Sequence, residues 1–513
     1  MSSHINNYTD AEQTRLAALA QQLRECELAK QDLISRLAEL ELHTKSIQLE
    51  HDSLHNARAR VSCIPDEILS LIFKAATEMC QPGVHFELVL SRIMRRWRIA
   101  ALSTPALWRN IRIVRWTQPE LDRVSAYLAR SGTMVIALFM DDKRLGFSKV
   151  HHRITGDELQ PVMNPHFQRC GQLVIYYRKN ATLARKLRFF MDANLPQLRS
   201  MRLHNCEQFD SVTHSDSFES VQVLTAAPAL KTLWLSGITP MPSNTSSLTT
   251  LFLHCETMEL SGLQRFPERL SSLTSLAYLE LVIGSVYEWS DDIQIIEMPA
   301  LEVLSIDITG RIETRIWDFL AAIESPLLHT LAITSSFDSE LSPAPNLTLF
   351  PSLRRLRLLA VDPSTTTTML LHIALTLPHI TELTCESEER TEWFLAPLLG
   401  HFSAEQSPIW SHLTHLALPE AKVSSSWILD LLNNREHSGH QLKKISISNA
   451  SLQALTAHEM NGICSLAQID GYVDDWPEYF LPLEQMVRYS FPVQKHRLMQ
   501  KSSAKVYGRT LKS

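Results

Sequence analysis

Residues 298–306 read MPALEVLSI, and residues 350–358 read FPSLRRLRL. Both carry L-x-x-L-x-L behind a proline, with an aliphatic side chain at each fixed position. The same spacing occurs at Leu198-Met201-Leu203, Leu230-Leu233-Leu235, Leu248-Leu251-Leu253 and Leu276-Leu279-Leu281. It continues at Leu301-Leu304-Ile306, Leu328-Leu331-Ile333, Leu353-Leu356-Leu358, Ile380-Leu383-Cys385, Leu413-Leu416-Leu418 and Leu442-Ile445-Ile447. These ten copies stand 18 to 33 residues apart, mostly 25 to 29. The L-x-L alternation puts both leucines on one face of a strand, so each copy predicts a short strand. Repetition at this period predicts stacked units, none able to bury its own apolar face. Proline stands just ahead of the motif at Pro196, Pro228, Pro299, Pro326, Pro351 and Pro378.

The pattern resembles a leucine-rich-repeat solenoid. The resemblance implies an α/β fold with short parallel strands on the concave side. Helices over residues 316–323, 366–376 and 427–433 would cover the convex side. One departure bears on curvature. The repeat family usually places Asn or Cys three residues after the last Leu, and here only Cys206 fits. Irregular turns are therefore expected. The alternative is a globular α/β domain that favours this strand sequence. In the repeat reading, the x positions beside the second Leu line the concave face. Trp234, Phe252 and Tyr278 come from three successive copies, and clustered exposed aromatics are typical binding anchors. With Arg202, Glu280, Arg355 and Arg357 they form the expected substrate-binding set. Packing under a neighbouring loop is the other reading of the aromatics.

Upstream, residues 64–78 read IPDEILSLIFKAATE and residues 91–113 read SRIMRRWRIAALSTPALWRNIRI. Pro65 suits a first helical turn, and Asp66 and Glu67 complement the helix dipole. Ile68, Leu69, Ile72 and Phe73 predict one apolar helix face. A second helix is expected with Ile93, Trp97 and Ala101 on a common face. It ends at Ser103-Thr104-Pro105, because the residue before a proline leaves helical geometry. The matching residues Ile64-Pro65-x-Glu67-Ile68-Leu69-x-x-Ile72-Phe73, Arg95-Arg96-Trp97-Arg98-x-Ala100 and Ser103-Thr104-Pro105-x-Leu107-Trp108 resemble the F-box of fungal (basidiomycete-type) F-box-like proteins. Ile93-Met94 stands where Val-Cys is frequent, and the stretch 80–90 is longer than in plainer members. The resemblance implies docking on a Skp-type adaptor through Ile64, Pro65, Ile68, Leu69, Ile72, Phe73, Trp97 and Trp108.

A long helix is predicted over residues 11–56. One heptad track carries Leu16, Leu23, Lys30, Leu37, Thr44 and His51; the other carries Leu19, Cys26, Leu33, Leu40, Ile47 and Leu54. Nine of these twelve are apolar, and no Pro or Gly occurs before Val61. This supports a coiled coil of about six heptads. A homodimer is one reading, and a solitary helix leading into the F-box is the other.

Between the F-box and the repeats, strands are expected at residues 111–113, 135–140 and 173–177. Helices are expected at 119–130 and 181–194, with a loop over 141–165. The expected domains are a coiled-coil helix (1–60), the F-box (61–113) and strands and helices leading into the array (114–197). The solenoid (198–456), a C-terminal cap (457–485) and a basic tail (486–513) follow. Trp476, Tyr479 and Phe480 are the cap candidates.

A net charge of −6 over 513 residues argues against a general nucleic-acid binder. The eight cysteines form no C-x-x-C pair, and their thin spread fits a reducing compartment, cytoplasmic or nuclear. No signal peptide or membrane span is read from the sequence. Phosphate-binding loops and nucleophile elbows are missing. No catalytic residue, metal or cofactor is expected. The chain thus reads as a substrate-recognition adaptor of a Skp–cullin–F-box ubiquitin ligase. Its partners would be the Skp-type adaptor with its cullin ligase and an unknown target protein. A scaffold whose F-box-like helices only cap the solenoid is the alternative.

Overall fold

The computed structural model describes residues 9–57, 60–79, 85–114, 117–141, 156–177, 190, 193–205, 227–236, 246–258, 266–286, 295–308, 316–335, 349–359, 367–386, 391–399, 409–419 and 423–475. It is a mixed α/β molecule with a long N-terminal helix and one large parallel sheet. Helix α1 (Asp10–Ala57) runs 48 residues without interruption, about 72 Å at 1.5 Å per residue. Thr9 opens it: its backbone N–H donates to Glu12 Oε2 at 2.9 Å. A 3₁₀ turn (Arg60–Cys63) leads to α2 (Asp66–Met79), α3 (Phe86–Ile93) and α4 (Arg95–Leu102).

The expected single helix through Arg92–Ala101 is in fact two. Met94 breaks it with extended backbone, φ −153° and ψ 161°. Its apolar residues divide accordingly: Ala101 is buried, Trp97 half-buried and Ile93 exposed. The chain then makes a 3₁₀ turn at Pro105–Trp108.

Fourteen strands form the sheet. They are β1 (Asn110–Ile113), β2 (Ile136–Met140), β3 (Cys170–Tyr177), β4 (Ser200–Asn205), β5 (Thr232–Ser236), β6 (Thr250–Met258), β7 (Tyr278–Val286) and β9 (Val303–Ile308). They continue as β11 (Thr330–Ser335), β12 (Arg355–Leu359), β13 (Glu382–Glu386), β14 (His415–Leu418), β15 (Lys444–Ile447) and β16 (Gln468–Gly471). Two short strands, β8 (Ile296–Glu297) and β10 (Ile323–Glu324), pair separately. In the large sheet, spatial order is chain order and all pairings described are parallel.

Each of the ten motif copies is a strand of this sheet, and the second motif position stays in register. Met201, Leu233, Leu251, Leu279, Leu304, Leu331, Leu356, Leu383, Leu416 and Ile445 are successive cross-strand partners. The ladder runs further than the motif. Ile111, Leu138 and Leu173 precede it and Ile469 follows it. All are buried except Ile469, which is half-buried. This shared stripe is the core. No strand buries it alone, so the packing of neighbours supplies the stability.

The prolines act in the turns. The N–H of Leu198 donates to Leu195 O at 3.1 Å, that of Leu301 to Met298 O at 3.2 Å and that of Leu353 to Phe350 O at 2.9 Å. Pro196, Pro299 and Pro351 thus occupy the second position of a four-residue turn, where a fixed φ near −65° is favourable. Phe350 itself takes φ 50° and is buried.

Helix α5 (Gln118–Arg130) matches its expected span. The expected loop over 141–165 contains a helix, α6 (Gly156–Met163), whose Leu159 and Met163 reach the core. Helices α7 (Phe266–Ser271), α8 (Ile316–Ala322), α9 (Thr367–Thr376), α10 (Thr391–Phe394) and α11 (Ser425–His437) interleave with the later strands. Two more, α12 (Asn449–Ala454) and α13 (Ala457–Cys464), precede β16. The expected helix over 181–194 and the tail after 475 fall largely or wholly outside the described residues. So does Cys206. Among its counterparts, Glu256 and Gly284 lie within β6 and β7. With no turn-forming Asn there, the two strands run on to pair Met258 with Val286.

Candidate interaction surfaces

Residues 60–79 and 85–108 form a small helical unit. Arg96 staples it: Nε donates to Asp66 Oδ1 at 2.8 Å, and Nη2 donates to Ile64 O. Thr104 Oγ1 donates to Ala100 O at 2.7 Å and reaches Ser70 Oγ at 3.0 Å. Phe73 meets Trp97 edge-on, with ring centroids 5.1 Å apart. Trp108 is fully buried, donates from Nε1 to Ala101 O at 2.9 Å and stands perpendicular to Tyr127. Burial lifts the Glu87 carboxyl, but hydrogen bonds from His85 and Tyr127 outweigh it and hold the group below the usual carboxylate range. Glu87 and Tyr127 therefore join α3 to α5.

The expected adaptor-binding residues separate into two faces. Leu69 and Phe73 are 1% exposed and belong to the core, as does Trp108. Ile68 is 45% exposed, Leu71 57% and Ile72 45%. Pro65 is exposed as well, while Ile64 and Trp97 are half-buried. The four residues expected on a single apolar face thus point two ways, since steps of one and four residues span a wide arc of a helix. Leu71, which carried no expectation, joins the outer strip. Val89, Ile93, Ile99 and Leu102 are further exposed aliphatics in the same unit. Among the described residues after Leu102, exposed large apolar residues are only Met134, Val135, Ile295, Leu327, Leu375 and Val473. Scattered single residues are ordinary on a surface, and a concentration is not.

On the sheet, the residue between the two ladder leucines faces away from the core. The register aligns Arg202 with Trp234, Trp234 with Phe252 and Phe252 with Glu280. The Arg202 guanidinium lies over the Trp234 ring, 4.4 Å from its centroid. Trp234 stacks on Phe252 at 3.5 Å with 19° between planes. Tyr278 Oη donates to Glu280 Oε2 at 2.7 Å. Burial raises the Glu280 carboxyl above its ordinary range and Asp307 adds to this, against the Tyr278 hydrogen bond. The aromatics expected as exposed anchors are mostly covered: Phe252 is 5% and Tyr278 2% exposed. Trp234 and Glu280 are half-buried and Arg202 is buried. Adjacent strands only about 4.8 Å apart press these large side chains into one another, so they consume their own surface.

Arg355 and Arg357 lie on β12, three strands beyond β7 in the sheet, and acids already hold them. Arg355 bonds Glu382 of the next strand at 2.7 Å and Asp475 at 3.1 Å. Arg357 bonds Asp474. Residues 472–475, just past β16, thus reach back to β12. The expected C-terminal cap begins with a strand, β16, and this acidic return; Trp476, Tyr479 and Phe480 lie outside the described residues.

Among the described residues no group of three or more His, Cys, Asp or Glu side chains is arranged to hold a metal ion. His415 sits in β14 with Nε2 2.9 Å from Ser446 Oγ. Among the same residues no helix is long and apolar enough to cross a membrane. No protein-family model matches the chain, and no curated protein matches its sequence.

Proposed function

We propose that this chain is a substrate-recognition adaptor of a Skp–cullin–F-box ubiquitin ligase, its helical unit being an F-box and its sheet a leucine-rich-repeat-like array. One observation carries the reading. The outer strip of α2, Ile68, Leu71 and Ile72, with Pro65 just ahead of it, stays exposed while Leu69 and Phe73 anchor the helix from beneath. An amphipathic helix with a second oily side offers a partner about the kind of anchor that binding surfaces use. The ligase's ubiquitin carrier would do the bond chemistry. This chain would position the target, with the partly exposed Trp234, Glu280 and Arg355 as its contacts on the sheet face.

Capture of a purified Skp-type adaptor tests the proposal. Ile68→Asp with Ile72→Asp should abolish capture and leave the circular dichroism spectrum unchanged. Unchanged capture by that double variant overturns the reading. Leu69→Asp and Phe73→Asp are unsuitable for this purpose, because they strike the core.

A second reading has its own support. The core is continuous from Leu69 through Trp108 into the sheet, so the helical unit also covers the first strand. A scaffold capped by these helices would capture no adaptor with either sequence.

A further inference from the structure

Among the described residues, helix α1 has an apolar seam with no partner. Every residue from Asp10 to His55 is exposed, including Leu16, Leu19, Leu23, Leu33, Leu37, Leu40, Ile47 and Leu54, each at least half exposed. A seven-residue repeat drifts about 20° per heptad around a straight helix. Over the six heptads the stripe would wander by roughly 120°, too far to lie on one flat neighbour. It becomes continuous only where two helices supercoil about each other.

The charges choose the occupant and its direction. We propose that α1 pairs with α1 of a second copy of this chain as a parallel, in-register, two-stranded coiled coil. Numbering Leu16 as position a and Leu19 as d, the flanking g and e positions include Arg36 and Glu41, Glu50 and His55, and Gln22 and Glu27; the other three pairs, Arg15 and Ala20, Ala29 and Ile34, and His43 and Gln48, oppose no two charges. In a parallel pair, g meets e of the partner's next heptad. Arg36 then faces the partner's Glu41, Glu50 faces the partner's His55 and Gln22 faces the partner's Glu27, each twice by symmetry. None of these contacts is between like charges. An antiparallel pair that keeps every core layer sets Arg36 against the partner's Arg36 and Glu27 against the partner's Glu41.

The core layers agree with the charges. In the parallel register Lys30, Thr44 and His51 each meet their own copy, so polar layers coincide. Turned around, Lys30 meets the partner's Leu40 and His51 meets the partner's Leu19. Polar groups at a positions set register and strand number at some cost in stability. Arg36 is at present held by Asp32 at 3.0 Å, but both are well exposed, and such a pair exchanges partners cheaply. Leu28, Leu42 and Leu49 sit at position f with Gln21, Ser35 and Asn56 between or beside them, so they make no second seam.

The pairing is independent of the adaptor reading. It would bring the two helical units to the same end of the coil and make the particle bivalent.

Cys26 occupies a d position and is exposed in the single chain. In the parallel register it lies beside the partner's Cys26. In the antiparallel one the two thiols are about 27 Å apart, eighteen residues at 1.5 Å each. The full chain should sediment as a dimer and be joined by a short bis-maleimide in a way that Cys26→Ser abolishes. Leu33→Asp with Leu40→Asp should give a monomer whose remaining fold is intact by circular dichroism. Arg36→Glu should weaken the dimer roughly tenfold, and adding Glu41→Arg should restore it. A wild-type monomer, a trimer, or a dimer that never links through Cys26 overturns the proposal.

Discussion

Asp474 forks around the Arg357 guanidinium, with Oδ1 2.9 Å from Nη1 and Oδ2 3.2 Å from Nη2, although 117 positions separate them in the chain. Arg357 is nearly buried while Asp474 is largely exposed. A two-pronged pair of this kind is stronger than a single surface contact. Asp474→Ala should lower stability by about 1 kcal/mol, within the range for a pair with one wet partner. In hydrogen exchange the loosening should be confined to β12 through β16. Uniform loosening of the whole sheet would show that the pair does not act locally.

The leucine ladder predicts a sharp contrast between two aliphatic residues. Leu356 is fully buried in β12, and Leu375 is exposed on α9. Leu356→Ala should cost about 2–5 kcal/mol, and Leu375→Ala no more than about 0.5 kcal/mol. Urea unfolding of the two variants checks both values.

Glu87 gives a pH dependence with a definite sign. Its folded carboxyl is held below the usual range. It therefore stabilises fully above the unfolded group's pKa, and the contribution fades as pH falls through the depressed folded value. Glu87→Gln should cost about 1–3 kcal/mol at neutral pH. The gap between wild type and variant should close in acid, as read by thermal unfolding across pH. A gap that widened in acid would have the wrong sign.

Trp234 is held between the Arg202 guanidinium and the Phe252 ring. Trp234→Ala should cost about 2–3 kcal/mol, since it removes a stacked aromatic. Trp234→Phe should recover most of that loss in a melting experiment. Target capture by Trp234→Ala is then informative only at temperatures where the variant remains folded.

The thiols divide by burial. Burial pushes the Cys385 thiol up to about 12, with Glu386 adding to it, and burial pushes Cys170 up to about 12. Both should resist maleimide at neutral pH in the folded chain, because the thiolate is the reactive form. Cys63 and Cys464 are exposed and should label within minutes. Mass spectrometry of the labelled peptides distinguishes the two groups.

Much of this architecture is written in leucine spacing. The ten L-x-x-L-x-L copies are ten of the fourteen strands of the sheet. The remaining four obey the same geometry with other apolar residues. Ile111-Ile113, Leu138-Met140 and Leu173-Ile175 read as strands but fall outside the template, because Trp108, Val135 and Cys170 stand where its first Leu or Ile belongs. Ile469 was hidden because Gly471 stands where the third apolar residue belongs. The break at Met94 left no mark, since an unbroken helical period runs through RIMRRWRIAAL. Helix α6 was masked by its polar composition and Pro161. The candidate sites were legible only in part. Which side of α2 is dry depends on α3 and α4, and the covering of Phe252 and Tyr278 depends on how closely neighbouring strands stack. Periodicity within one element reports neither.

Strand order that follows chain order also governs how the molecule is made. As the polypeptide leaves the ribosome, each new strand finds its preceding neighbour already made, so pairing need not wait for distant parts of the chain. The first template is β1, and the helices of residues 60–108 that shelter it are synthesised before any strand. The segment proposed to meet a partner is thus made before the sheet that it shelters.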